Sequence, residues 1–236
     1  MRSHNWMSIG MVTVSASALG CANAPMRSAD DAPKTLRALY GLKAPTQLSA
    51  PRTALLLVDF QDEYFHGRLP LPKGTSAVEH AAALASWARA SGILIVHVRN
   101  VVTRPGSPIF AAGSETTEIV PQLRPQPADI VLDKSMAGAF SHTDLDARLR
   151  ARGVDTLIIG GLMTHLAVST TASDGTVLGY RVIVAADATA TRDLPGAVGY
   201  ANVDATTLHH VALAALADRV ADVMPEESIT HLPIEH

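Results

Sequence analysis

The sequence between residues 155 and 175, DTLIIGGLMTHLAVSTTASDG, contains an apolar run, a Gly-Gly pair and then a helical pattern. This order predicts a strand that enters a helix through a tight corner, with the backbone N–H groups of residues 163–167 pointing into one site. The free N–H groups and the dipole at the start of a helix stabilise an anion, so such a corner is typical of an oxyanion hole. A nucleophile is expected at the first turn of that helix, but the residue there is Ala167.

The same alternation of strand-length apolar runs and helical patterns extends along the chain on both sides of this corner. Continuous Val, Ile and Leu runs, rather than alternating ones, indicate strands that are buried on both faces. We therefore predict one α/β domain with three layers, in which helices cover both faces of a mostly parallel, Rossmann-like sheet. The predicted strands are 53–59, 93–99, 129–133, 155–161, 180–187 and 220–224, and the predicted helices are 77–90, 143–153, one from about residue 165, and 203–219.

The composition is that of a globular protein. The chain has 236 residues, of which 47% are hydrophobic and 17% are charged, and its formal net charge is −3. Because there is no basic patch to attract a nucleic acid, we expect no nucleic-acid partner. Cys21 is the only cysteine, which excludes an internal disulfide and a thiolate metal cluster and leaves the main body without a thiol nucleophile.

The N-terminal segment has the layout of an export signal, with one Arg, a mildly apolar middle and small residues near its end. Two processing routes fit: cleavage after Ala22-Asn23-Ala24, or a lipoprotein box, ALGC, with a lipid anchor at Cys21. Either route would make the protein periplasmic or lipid-anchored, whereas a misassigned start codon or a disordered tail would leave it cytoplasmic. The expected organisation is a leader at 1–24, a linker or strap at 25–52, the domain at 53–224 and a C-terminal tail at 225–236.

Polar residues follow several predicted strands, at the edge where open α/β sheets bind their ligands. Asp59 and Gln61 follow the first strand, and Lys134 lies just past the third. A half-buried Asp59 paired with Lys134 would form a site for proton transfer, although each residue alone also fits a structural role, as a capping aspartate and a solvated loop lysine. The side chains expected to contact a substrate are Gln61, Phe65, Arg99, Asn100, Phe110 and His165.

Two further segments carry specific expectations. The segment FHGRLPLP at 65–72 is predicted to form a lid that its prolines hold in shape, with Phe65 and Leu69 as apolar walls. The apolar residues of helix 203–219 recur at the spacing of core or subunit packing; they are Val203, Leu208, Val211, Ala212, Ala215 and Leu216. His209 and His210 are adjacent and do not share one face of that helix, so no two-histidine metal site is expected.

Three segments together resemble the isochorismatase-like hydrolases, also called the cysteine hydrolase superfamily. They are ALLLVDFQDEYF at 54–65, DKSMAGAFSHTDLDARLRARGVDTLIIGGLMTHLAVSTTASDG at 133–175 and GYRVIVAADATATRD at 179–193. The resemblance extends from about Thr53 to Met224. It implies a six-stranded, mostly parallel sheet, homo-oligomers, and a small-molecule substrate such as an amide, a carbamoyl compound or isochorismate.

By the same resemblance, the superfamily's triad of Asp, Lys and Cys falls on Asp59, Lys134 and Ala167. The resemblance also implies a cis peptide bond between Leu162 and Met163, and an oxyanion hole formed by the backbone amides of Met163 and Ala167. The Asp-x-His cluster that holds a metal in nicotinamidases is not found here, so we expect no catalytic metal and no cofactor.

Ala167 rules out thiol chemistry at its position, because a methyl group cannot attack a carbonyl carbon. Thr164 is expected to cap the corner, and Ser169, roughly 200° around the helix from residue 167, is expected to face away from the site.

Three interpretations stay open. The chain is a hydrolase that needs only acid catalysis by Asp59, as in isochorismatases that cleave a vinyl ether with the acid alone; or it is an enzyme whose cysteine was replaced to trap substrate; or it is a pseudo-enzyme that binds a small molecule without turnover.

Overall fold

Strands of mainly Val, Ile and Leu form the centre of the fold. The computed structural model describes residues 32–236. Its strands are β1 (Leu48–Ser49), β2 (Thr53–Val58), β3 (Leu94–Asn100), β4 (Ile130–Lys134), β5 (Thr156–Leu162), β6 (Arg181–Ala190), β7 (Asp222–Met224) and β8 (Ile234–Glu235). Six of them form one sheet in the order β4-β3-β2-β5-β6-β7, with all neighbouring pairs parallel. The carboxyl ends of these strands therefore share one edge.

Helices cover both faces of this sheet. They are α1 (Leu36–Leu39), α2 (Gly74–Ala90), α3 (Leu145–Arg150), α4 (Ser169–Val177), α5 (Ala205–Ala215) and α6 (Glu226–Thr230). Leu55 and Leu57 of β2 belong to the core cluster that contains the buried face of α2, whereas Leu56 and Val58 belong to the cluster that contains α3 and α4. The predicted three-layer α/β fold is thereby confirmed. None of the helices within residues 32–236 is long and apolar enough to cross a membrane.

The observed elements differ from the predicted ones mainly at their ends. Strand β6 continues past residue 187 to Ala190, because it pairs again with the end of β5 after a register shift between Ile159 and Gly161. The helix predicted from residue 165 begins with a π-helical turn, Thr164–Val168, and the helix predicted at 203–219 divides into α5 and a second such turn, Leu216–Val220. Val211 of α5 is 60% exposed and does not pack in the core.

Residues on both sides of the predicted domain also take part in the fold. Within the predicted strap, β1 pairs in parallel with β8, which lies in the predicted C-terminal tail. Ile229 of α6 is fully buried in the same core cluster as α2. The segment 225–236 is therefore packed against the domain, because its apolar residues cover the edge of that cluster.

Gly161 lies in the centre of the sheet, where a side chain has no room. A Cβ atom at Gly161 would lie 2.7 Å from the Val58 carbonyl oxygen and 2.8 Å from Val58 Cβ. Since backbone atoms of a central strand cannot move aside, we expect Gly161→Ala to lower the free energy of unfolding by about 3 kcal/mol. Urea denaturation would measure this change. Gly160→Ala, whose nearest contacts would be 3.2 Å away, is the matched control; an equal loss in both variants would contradict the explanation.

Candidate active site

Asp59 and Lys134 meet at the carboxyl edge of the sheet. Asp59 follows β2 and Lys134 ends β4, so β3 lies between the strands that carry them. The long lysine side chain crosses this gap, and its Nζ donates to Asp59 Oδ2 at 2.8 Å and to the Met136 carbonyl oxygen at 3.0 Å. The side chains of Asp59 and Lys134 are only 2% and 1% exposed. The ion pair expected from the sequence is therefore present and is shielded from water.

The surroundings of Asp59 favour its protonated form. Burial raises the pKa of its carboxyl group to about 6, although the charge and hydrogen bond of Lys134 act in the opposite direction. Asp59 Oδ1 is buried and has no hydrogen-bond partner within residues 32–236. The backbone of Asp59 is in the left-handed region, with φ of 56°, a conformation that is uncommon for a residue other than glycine. Such a carboxyl group, with one free oxygen and a pKa near neutrality, is suited to proton transfer.

The corner after β5 has the form predicted from the sequence. The peptide bond between Leu162 and Met163 is cis, as the resemblance implies, and the π-helical turn that follows leads into α4. Ala167 is 3% exposed and lies in the same buried cluster as Val58 and Leu132. Val58 directly precedes Asp59, and Leu132 lies two residues before Lys134. Ala167 therefore belongs to the buried core on the face of the sheet that Val58 and Leu132 line.

The two hydroxyl groups near Ala167 are already hydrogen-bonded. Thr164 was expected to cap the corner, but this expectation is wrong: no side-chain cap is formed there, and Thr164 Oγ1 instead lies 2.9 Å from His209 Nδ1 on α5. Ser169 Oγ donates to the Thr164 carbonyl oxygen at 2.6 Å. Ser169 thus uses its hydroxyl on the backbone, which leaves it unsuited to replace a missing nucleophile.

The substrate contacts predicted for Gln61, Asn100 and Arg99 stay predictions, and the structure shows contacts of these residues within the protein. The Gln61 amide donates to the carbonyl oxygens of Asn100 and Thr117, at 2.9 and 2.8 Å, and accepts from the Asn100 backbone N–H at 2.7 Å. The Gln61 amide thereby joins the backbone at Asn100 to the backbone at Thr117. Arg99 forms a bidentate ion pair with Asp133, in which the Nε–Oδ1 distance is 2.8 Å and the Nη2–Oδ2 distance is 3.0 Å.

Phe65, Phe110 and His165, which were also expected to contact a substrate, have different surroundings. Phe65 lines a cavity of about 420 Å³ under the predicted lid, and the residues lining it do not include Asp59, Lys134 or Ala167. Phe110 is buried, and its ring packs edge-on against Tyr64 with 5.4 Å between centroids. His165 Nδ1 is hydrogen-bonded to Thr191 Oγ1 at the end of β6.

Tyr64, Thr191 and Arg192 were not predicted from the sequence as residues of this region. Burial raises the pKa of Tyr64, the charge of Asp59 raises it further, and the charge of Arg192 acts in the opposite direction. Arg192 is half-buried, and its Nε has no hydrogen-bond partner in the described part of the chain. Arg192 and Thr191 directly follow β6, so the rule that ligands bind at strand ends could have identified both.

His209 and His210 also differ from expectation. Their rings lie 6.0 Å apart and line the same small pocket, although adjacent helix positions were expected to point apart. Among residues 32–236, however, no group of three or more His, Cys, Asp and Glu side chains is placed to hold a metal ion. The expectation of a metal-free site stays a prediction.

Comparison with known proteins agrees with this geometry. A family model described as Isochorismatase domain matches residues 53–228. The chain is 34% identical over 195 residues to the Secreted isochorismatase effector Isc1 of Verticillium dahliae, covering 83% of this chain and 98% of that protein. It is 34% identical over 179 residues to the Ureidoacrylate amidohydrolase RutB of Methylorubrum extorquens, covering 61% and 72%. A crystal structure of a cysteine hydrolase from Pseudomonas syringae pv. phaseolicola superposes with a TM-score of 0.74 at 30% identity, covering 80% of this chain and 96% of that one. The chain therefore belongs to the isochorismatase family of hydrolases, which act on small molecules.

Proposed function

We propose that this protein hydrolyses a small molecule without a covalent enzyme intermediate, with Asp59 as the group that transfers the proton. The observation that carries this proposal is the buried Asp59 carboxyl, which has one free oxygen, a pKa of about 6 and a lysine ammonium at 2.8 Å. The domain has no cysteine, and Ala167 stands at the position that the resemblance assigns to the thiol. Only a water molecule is then left as the nucleophile.

The first candidate substrate is a vinyl ether. The protonated Asp59 carboxyl donates its proton to the terminal carbon of the double bond, which leaves an oxocarbenium ion. Lys134 stabilises the carboxylate that forms, because its charge is adjacent. Water adds to the cationic carbon and returns a proton to Asp59, and the resulting hemiketal breaks its C–O bond to release an alcohol and a carbonyl compound. The name of the Isc1 relative supports this candidate.

The second candidate is an amide or carbamoyl compound, which the name of the RutB relative supports. Here ionised Asp59 removes a proton from water, and the hydroxide attacks the carbonyl carbon. The backbone amides of Met163 and Ala167 would stabilise the tetrahedral oxyanion, since backbone donors do not depend on the side chain at position 167. The leaving amine takes its proton from Asp59, so the carboxylate is restored.

The pH dependence of kcat/KM separates these two candidates. Vinyl ether hydrolysis needs protonated Asp59, so its kcat/KM is expected to fall as the pH rises through about 6. Amide hydrolysis needs ionised Asp59, so its kcat/KM is expected to rise over the same interval. The measurement is a pH profile of each reaction between about pH 4.5 and 8, on both sides of the Asp59 pKa. A profile that is flat through this interval for an active substrate would contradict a proton-transfer role for Asp59.

The alternative is a pseudo-enzyme of the same fold that binds a small molecule without turnover. It predicts that a panel of vinyl ethers, amides and carbamoyl compounds raises the melting temperature of the protein while mass spectrometry detects no product. Ligand-induced stabilisation rises with the ratio of ligand concentration to Kd, so a titration series identifies the bound compound. Detection of product that disappears in Asp59→Asn would exclude this alternative.

We also propose that the protein is exported and that it forms homo-oligomers. The word "secreted" in the name of the Isc1 relative supports export. The leader at 1–24 and the lipid anchor at Cys21 lie outside the described residues. Mass spectrometry of the mature N-terminus would distinguish cleavage after Ala24 from a lipidated Cys21. The resemblance to the isochorismatase-like hydrolases supports self-association, which light scattering would measure.

A further inference from the structure

A small pocket with several polar side chains lies beside the corner, at the end of β6. Its volume is about 90 Å³, and the polar residues lining it are Lys73, Thr189, Thr191, Thr206, His209 and His210. Thr189 pairs with Gly161 and Ala190 pairs with Leu162, so this wall of the pocket is hydrogen-bonded to the strand that leads into the corner. The pocket is thus on the same edge of the sheet as Asp59 and Lys134.

The lining of this pocket favours an anion. Its polar groups are an ammonium, two imidazoles and three hydroxyls, and within residues 32–236 none of the lining residues carries a carboxylate. The Thr189 hydroxyl already donates to the Ala186 carbonyl oxygen, but the ammonium, the imidazoles and the other two hydroxyls can donate to an occupant. The two acidic residues near the start of α5 are already used as caps: Asp193 accepts from the Ala205 N–H, and Asp204 accepts from the backbone and hydroxyl of Thr207. Burial lowers the pKa of His209, and the charges of His210 and Lys73 lower it further. The rings of His209 and His210 lie 6.0 Å apart, and Lys73 lines the same pocket.

Two residues of this pocket are hydrogen-bonded to the corner itself. His209 Nδ1 lies 2.9 Å from Thr164 Oγ1, and Thr191 Oγ1 is hydrogen-bonded to His165 Nδ1. Thr164 and His165 are the residues that directly follow Met163. An occupant of the pocket would therefore lie beside the site at which the reaction is proposed to occur.

We propose that this pocket binds a small oxyanion, through Lys73 and the ring nitrogen of His209 that does not contact Thr164. The oxyanion is either inorganic phosphate or the carboxylate of the substrate. The second source rests on the proposed function, whereas oxyanion binding itself does not.

Isothermal titration calorimetry on the full chain tests this proposal with three probes: inorganic phosphate, succinamate and the uncharged succinamide. We expect phosphate or succinamate to bind saturably and succinamide to bind at least about tenfold more weakly, because a hydrogen bond to a charged group is stronger than one to a neutral group. Saturable binding of phosphate identifies a site for a free oxyanion. Binding of succinamate alone identifies the carboxylate of a substrate. No binding of either anion, or equal binding of succinamide, would overturn the proposal.

Variants assign the binding to this pocket. Lys73→Gln is expected to raise the Kd of the bound anion by about tenfold, since it removes a charge-assisted hydrogen bond. Lys43→Gln removes the same charge from another exposed lysine and should leave the Kd unchanged. His209→Asn should also weaken binding, because an Asn amide can replace Nδ1 toward Thr164 but leaves nothing in place of the other ring nitrogen. Equal effects of Lys73→Gln and Lys43→Gln would contradict the assignment.

Repeating the titration with Asp59→Asn separates this proposal from the proposed function. Anion binding that persists in Asp59→Asn while turnover is lost would support both the pocket and the proposed function. Anion binding by a wild-type protein that turns over no vinyl ether, amide or carbamoyl compound would support the pocket and contradict the hydrolytic function. Turnover of a substrate with no anion binding, and with no effect of Lys73→Gln on KM, would support the function and overturn the pocket.

Discussion

Replacing Asp59 by Asn is expected to lower kcat/KM by about 10³-fold, the middle of the range for loss of a general acid or base. The amide of Asn has nearly the shape of the carboxyl group but can neither donate the catalytic proton nor accept one from water. The measurement is steady-state kinetics on whichever substrate class the wild-type protein turns over. Asp133→Asn is the matched control, since Asp133 is an exposed carboxylate next to Lys134 and pairs with Arg99 outside the ion pair of Asp59.

The stability of this variant has to be measured together with its activity. Asp59→Asn leaves the Lys134 ammonium buried beside a neutral group, and an unpaired buried charge typically costs about 3–5 kcal/mol. The double variant Asp59→Asn with Lys134→Met removes both charges and is expected to recover stability but not activity. A double variant that is both stable and active would contradict the proton-transfer role of Asp59.

Replacing Ala167 by Cys is expected to create a thiol hydrolase. The resemblance places the superfamily's thiol at this position and pairs it with the equivalents of Asp59 and Lys134, groups that can activate a thiolate. The rate on small amides should rise by about 10³-fold or more, since removal of the nucleophile from a covalent enzyme lowers kcat by at least this factor. Mass spectrometry should detect a covalent adduct of the substrate on the protein.

This experiment is best done in a Cys21→Ser background, in which position 167 carries the only thiol. Ser169→Cys is the control, because it introduces a thiol two residues away at a position whose hydroxyl contacts the Thr164 carbonyl oxygen. An adduct in Ala167→Cys alone, with the parent protein inactive, would favour a thiol enzyme that has lost its nucleophile. Activity of the parent protein that depends on Asp59 would favour hydrolysis by water. No gain in rate and no adduct in Ala167→Cys would contradict the assignment of this position.

The pH profile and the Ala167→Cys experiment test different parts of the site. The pH profile reports the pKa of the Asp59 carboxyl group, which does not depend on a nucleophile at position 167. The substitution reports the position of the corner relative to that carboxyl group. Agreement of both with expectation would show that Asp59 and the residue at position 167 act on the same substrate.

Much of the fold was predictable because the signals that determine it are local. A buried parallel strand needs a continuous run of Val, Ile and Leu, and a tight strand-to-helix corner needs small residues, so 155–175 predicts its own structure. Gly161 illustrates this, because no side chain fits between its Cα and Val58. The positions of Asp59 and Lys134 at strand ends were likewise predictable from the sequence. Asp59 directly follows the apolar run of β2, and Lys134 lies at the end of β4.

Only the tertiary structure decided what those residues contact. Lys134 reaches Asp59 over a separation of 75 residues, and Thr164 meets His209 over 45 residues, so neither contact leaves a local pattern. The sequence predicted that Gln61 contacts the substrate, whereas in the fold its amide is hydrogen-bonded to the backbones of Asn100 and Thr117. The sequence by itself therefore determined the layers, the edge and the residue types of the site. The pairing of charges, their burial and the pKa of Asp59 depended on strand order, because each arises from residues that only the folded sheet brings together.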